Sequence, residues 1–267
     1  MLGSKASMAS GILIIAKAVL KTMVRQKSII FSCFILPILT IWSIWWITAD
    51  VLMIFNLENG QEISATMINV HIVTGGLTAV AITAGLFGFI ITADSRRLAD
   101  RLRLVGYRLS TINLGWFAAL LVVLLISAIV ASVLTIVLYE PVSVIGVVCA
   151  IVLTTIVYAA FGYFLGILYP KVMEGTLIVL LVSFIDLMLL SNPMGESLYL
   201  VSWTKYLPGF WPTQMVLETA FIGISAEILI QIGFILSYCI ILILSAQFLR
   251  FLTESYVWNI MRRGART

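Results

Sequence analysis

Six runs of twenty or more nearly uncharged residues leave this chain few folds to choose from. They are Ile29–Ala49, Val70–Ala93, Thr111–Tyr139, Val142–Tyr169, Val172–Ser191 and Ala226–Phe251. A helix needs about 20 apolar residues to cross the hydrocarbon of a bilayer. Charged residues make up 10% of the 267, against about 25% in ordinary globular domains. That is too little charge to keep so apolar a fold dispersed in water. Lipid-exposed backbone must bond to itself, which restricts spans to helices or closed barrels. Barrel strands alternate strictly over about ten residues, whereas Leu, Ile, Val and Ala run unbroken here. The expected fold is therefore all-α and polytopic, with six transmembrane helices over residues 29–251. A cytoplasmic segment over residues 1–28 and a cytoplasmic tail over 252–267 flank them.

The basic residues orient this frame. Fifteen of the sixteen lie before the first run, between runs two and three, between runs four and five, or at the C-terminal end; only Lys205 falls on the other side. The positive-inside rule then puts both termini in the cytoplasm, in a plasma (inner) membrane. Asp50, Glu58, Glu62, Glu140, Glu196 and Glu218 fall in or at the edges of the opposite, outer connections. Trp42, Trp45 and Trp46 sit in the outer half of the first run, as an aromatic belt does. No cleavable signal peptide is expected, because Lys17, Lys21, Arg25 and Lys27 follow the first short apolar stretch instead of preceding it.

Retention inside explains the sign of the charge in "ADSRRLADRLRLVGYRLSTINLG" but not its pattern. On a helix over residues 96–109, Leu98, Leu102, Val105 and Leu109 form one stripe, and Arg97, Arg101 and Arg108 form its neighbour. Such a helix is too short and too charged to span. It suits lipid phosphates and a cytoplasmic partner equally well. At the N-terminus, Lys17, Lys21 and Arg25 oppose Ile12, Ile15, Val19 and Met23, which predicts an interfacial helix under the membrane. The last outer connection, residues 192–225, is too long and too apolar for a solvated loop. It carries "LPGFWPTQMVLETAF" with Pro208, Trp211 and Pro212. Short helices around residues 199–206 and 212–222, dipping back into the outer leaflet, would account for it.

These three features on six spans resemble the permease subunit of a type-2 ABC exporter. The resemblance covers the whole chain in topology. In "DRLRLVGYRLSTINLG", Asp100 stands for the family's acidic residue and Gly106-Tyr107 occupies the place of its proline turn, while the glycine that usually follows the acid is absent. "LPGFWPTQMVLETAF" is similar to the family's proline-bearing stretch before the last span. The resemblance implies that residues 96–109 form a coupling helix seated in an ATPase subunit, with Arg97, Asp100, Arg101, Leu102, Leu104 and Arg108 at the contact. It also implies two ATPase copies holding ATP and Mg, a second permease chain as homodimer or heterodimer, and export of a lipid, drug or peptide. This chain itself would bind no cofactor.

Other chemistry is poorly represented. No G-x-x-x-x-G-K-[ST] occurs, so a nucleotide site belongs elsewhere. His71 is the single histidine and no H-E-x-x-H exists, which disfavours an intramembrane hydrolase or a metal site. Cys33, Cys149 and Cys239 fall inside spans as small packing residues. The charge pattern points to lipid and not to nucleic acid. Asp186, in "LLVSFIDLMLL", is an intramembrane acid and hence a functional candidate. It supports an alternative, an ion- or proton-coupled secondary transporter, and equally a structural acid joining two helices. Gly75, Gly76, Gly85, Gly88, Gly162 and Gly166 offer small-residue spacing that suits a dimer face.

Overall fold

The computed structural model describes residues 8–58, 60–169, 171–191 and 202–264, with the backbone alone at 8, 28, 94–100, 103, 109, 187–191, 202–203 and 253–264. The described chain is mostly helical: α1 (Met8–Arg25), α2 (Lys27–Ile47), α3 (Met67–Leu104), α4 (Leu109–Leu138), α5 (Val144–Leu168), α6 (Val172–Ser191), α7 (Phe210–Phe221) and α8 (Glu227–Gly264). Five stretches are long and apolar enough to cross a membrane: Ile29–Ile47, Met67–Ala93, Ser110–Leu138, Val144–Leu168 and Glu227–Leu252. Five of the six predicted runs thus qualify. The remaining one, Val172–Ser191, is a helix of 20 residues that carries Glu174 and Asp186.

Sequence explains how these helices manage without water. Buried hydroxyls bond back one turn: Thr83 to the Ala79 carbonyl at 2.7 Å, Thr154 to Ala150 at 2.7 Å and Ser132 to Ala128 at 2.7 Å. Such bonds satisfy a polar group where no solvent can. The core centres on α3 and α5. A Cβ at Gly162 would lie 2.1 Å from the Gly85 carbonyl oxygen, and one at Gly88 would lie 2.7 Å from that of Ala159. Gly88, Gly162 and Gly166 therefore let α3 and α5 touch within one chain, while Gly75 packs on Ile44 of α2 and Gly76 on Thr135 of α4. They do not form the dimer face suggested by their spacing. By contrast, only 17% of the first candidate span and 22% of the last are buried in the chain. Trp46, Ile47, Leu229 and Ile241 project outward from these two helices, so lipid or another chain must cover them.

Two elements depart from the all-α expectation or from its boundaries. Between α2 and α3 lies an antiparallel hairpin, β1 (Leu52–Asn56) paired with β2 (Glu62–Thr66), in the register Ile54 opposite Ser64. Met53, Phe55, Ile63 and Ala65 are buried while Leu52 and Ile54 are exposed, the period-2 pattern of a half-covered ribbon. Phe55 meets Phe221 of α7 edge-on at 6.4 Å. Secondly, the arginine segment is no separate helix. Helix α3, 38 residues long, continues into it as far as Leu104. The stripe expected on residues 96–109 is consequently broken, with Leu102 half-buried against the core and Val105 exposed.

Helix α1 has the face that its spacing predicts but turns it towards the protein. Ile15, Val19 and Met23 are buried, while Lys17, Lys21 and Arg25 are exposed. A Cβ at Gly115 of α4 would lie 2.9 Å from Ile15, so α1 is clamped to the first turns of α4. Leu13 and Ile14 lie on the outside of that clamp, exposed.

Candidate functional site

The first candidate is the turn that ends α3. Gly106 has φ +99°, in the left-handed region where a side chain is strained. The Tyr107 N–H donates to the Leu102 carbonyl at 3.2 Å, and both side chains rest against the core. This is a glycine-capped helix end with its accompanying hydrophobic contact. It leaves Leu104 89% exposed and Val105 75% exposed, with Arg101 and Arg108 exposed beside them. Arg97 and Asp100 lie on helical backbone one to two turns earlier, and their side chains fall outside the described residues. Two apolar knobs with Arg101 and Arg108 beside them thus project at the end of a helix that is continuous with a candidate span.

Behind this turn, α4, α5 and α8 are joined by side chains that sequence reading missed. Asn113 donates to Gln247 at 2.9 Å and accepts from Arg250, while Gln247 donates to the Tyr163 hydroxyl at 3.2 Å. Arg250, at the end of the last apolar run, lies within α8, which continues to Gly264. The available signal was the isolated polar residue in each apolar run. Nearby, α1 to α4 line a half-open, mainly apolar cavity of ≈330 Å³, with Met23, Ile29, Phe87, Ile91 and Trp116 beside the polar Thr22, Gln26 and Ser32. That falls in the range of sites for small organic ligands.

The second candidate lies at about mid-height in the bundle. Asp186 of α6 is 1% exposed. Its Oδ2 accepts from the Tyr158 hydroxyl of α5 and from the Gly209 N–H at 3.0 Å. Gly209 is the residue that opens α7, so the acid caps the positive end of a buried helix. Oδ1 has no partner among the described residues. At its far end α7 meets the start of α5, where the Ser143 N–H donates to the Thr219 carbonyl at 3.0 Å. Tyr158 and Ser143 are 15 residues apart, about 22 Å along a helix. Helix α7 therefore runs from about mid-height on α5 up to its start. Pro208 is buried ahead of it, and Pro212 sits in its first turn, where a missing N–H costs nothing. Trp211 stacks on Phe234 of α8 at 4.5 Å. Residues 192–201 of the predicted outer segment lie outside the described residues, and 202–206 form a single 3₁₀ turn. His71 is half-buried near the start of α3, with its Nδ1 unpartnered among the described residues. No group of three or more His, Cys, Asp or Glu side chains there could hold a metal ion.

No protein-family model matches the sequence, and no curated protein matches it.

Proposed function

We propose that this chain is the transmembrane permease subunit of an ATP-driven exporter of the type-2 ABC class. In this reading α6 is the sixth span, both termini are cytoplasmic in the plasma membrane, and α7 re-enters the outer leaflet. Two permease chains, identical or related, enclose the pathway. Two ATPase subunits supply the energy and hold the ATP and Mg. The carrying observation is the arginine turn. Leu104 and Val105 stand exposed beside Arg101 and Arg108 at the end of a helix that is continuous with a candidate span, so in this reading a push on the turn is passed to that span. The mainly apolar cavity lined by α1 to α4, with its few polar side chains, suits an amphipathic substrate.

Charge reversal tests the proposal. In Arg101→Glu/Arg108→Glu, capture of an ATP-binding soluble subunit from native membranes is expected to fall at least about ten-fold, the equivalent of roughly 1.4 kcal/mol. The thermal melt of the permease should not change, because both side chains are exposed. Unchanged capture together with unchanged transport would exclude the coupling role.

The secondary-transporter alternative retains one supporting observation, that Oδ1 of buried Asp186 has no partner among the described residues. The acid's two contacts, to a tyrosine and to a helix N-terminus, support the structural role instead.

A further inference from the structure

The half-open cavity lined by α1 to α4 sits at one end of three candidate spans. Ile29 opens the first, Phe87, Ile90 and Ile91 lie in the last two turns of the second, and Trp116 lies in the second turn of the third. Its depth is apolar, with Val19, Met23 and Ile91 buried. Its opening is polar, with Thr22 and Gln26 exposed and Ser32 half-buried. Gln26 immediately precedes α2 and makes no capping bond with its side chain, which leaves the amide for another acceptor. Next to lining positions in sequence, Val24 of α1 and Phe31 of α2 are exposed.

Charge at this end is one-sided. No Asp or Glu precedes Asp50. Lys21, Arg25 and Lys27 are exposed and have no ion-pair partner among the described residues. Past the cavity, α3 carries a single acid, Asp94, ahead of Arg96 and Arg97. An apolar cavity with a polar opening and unpaired cations beside it fits an amphiphile with an acidic head. Its ≈330 Å³ is at the small end of the range for organic ligands, about 300–1,000 Å³, which suits one hydrocarbon chain and not two. We infer that this cavity holds one acyl chain of an anionic phospholipid drawn from the surrounding bilayer. The phosphate lies against Arg25 and Lys27, an ester oxygen accepts from the Gln26 amide, and the second chain stays in the bilayer along Val24 and Phe31. A zwitterionic lipid has the same chains, but its ammonium group would meet the same cations. Calling this lipid a substrate rests on the exporter reading; its binding does not, and is tested without an ATPase.

The test uses Trp116, which lines the cavity. Phosphatidylglycerol brominated on its acyl chains is titrated into the full chain in mild detergent, with phosphatidylcholine brominated in the same way as control. Subtracting the emission of Trp116→Phe, which keeps an aromatic ring in place, isolates the Trp116 signal. Saturable quenching of that signal by phosphatidylglycerol is expected, with at least ten-fold more phosphatidylcholine needed for the same effect. Arg25→Gln/Lys27→Gln, an exposed change that spares the fold, should bring the two lipids within about two-fold of each other. Ser32→Leu, which narrows the opening, should weaken quenching by both lipids. An unquenched Trp116 at saturating phosphatidylglycerol, equal quenching by the two lipids, or a preference that survives the double substitution would overturn the site.

Discussion

Gly162→Ala is expected to be the most damaging single-methyl change in the chain. The new Cβ would lie 2.1 Å from the Gly85 carbonyl oxygen and 2.9 Å from the Phe89 backbone nitrogen. Both are backbone atoms of α3, so no rotamer change relieves the clash and the two helices must separate. Overpacking of a core typically costs about 1–3 kcal/mol. A contact this short between two backbones places Gly162→Ala at or above the upper end. A fall in melting temperature in mild detergent, with loss of the monodisperse peak, is the expected result. Gly233→Ala provides the control, because nothing lies within 4 Å of its added Cβ. On a helix that change is neutral or stabilising by roughly 0.5–1 kcal/mol. Equal melts for the two variants would refute the close α3–α5 contact.

Asp186 carries the second large effect. Asp186→Leu removes the acceptor of both the Tyr158 hydroxyl and the Gly209 N–H. Each donor is then buried without a partner, at about 1–3 kcal/mol apiece, so a loss of roughly 2–6 kcal/mol and detachment of the start of α7 are expected. Asp186→Asn keeps an oxygen in place and should cost about 1 kcal/mol or less, with substrate movement largely intact. The comparison separates the two roles of the acid. Were it a proton carrier, Asp186→Asn would abolish transport while leaving the melt unchanged.

How much of this was legible in sequence depended on the range of the interaction. The apolar runs and the Ile15–Val19–Met23 stripe are local patterns, and both appear as helices with the predicted buried positions. What the stripe packs against was not local. Spacing cannot distinguish a lipid surface from the first turns of α4. The hairpin had a local signal that the helical frame obscured: Asn59-Gly60 stands between two alternating segments, the commonest arrangement for a tight hairpin. Gly106 likewise marked a helix stop. The charges of the preceding residues nevertheless suggested a separate surface helix, although a helix pays nothing to continue beyond the membrane once water is available. The partners of Asp186 lie 28 and 23 residues away. Those of Asn113 lie more than 130 away. No periodicity encodes such distances, so the polar links between helices emerged only with the fold. Glycine spacing identified contact-forming faces correctly as a class, but it could not say that the partner was α5 of the same chain.

The most direct test of the account places a photo-crosslinking residue at Leu104, in full-length protein in its native membrane. The side chain is almost fully exposed on the arginine turn and touches whatever docks there. The account predicts a covalent adduct with a soluble ATP-binding subunit, formed at Leu104 and absent at Leu229 of α8, which is also exposed. Adducts with lipid alone at Leu104, with no ATPase recovered, would contradict it.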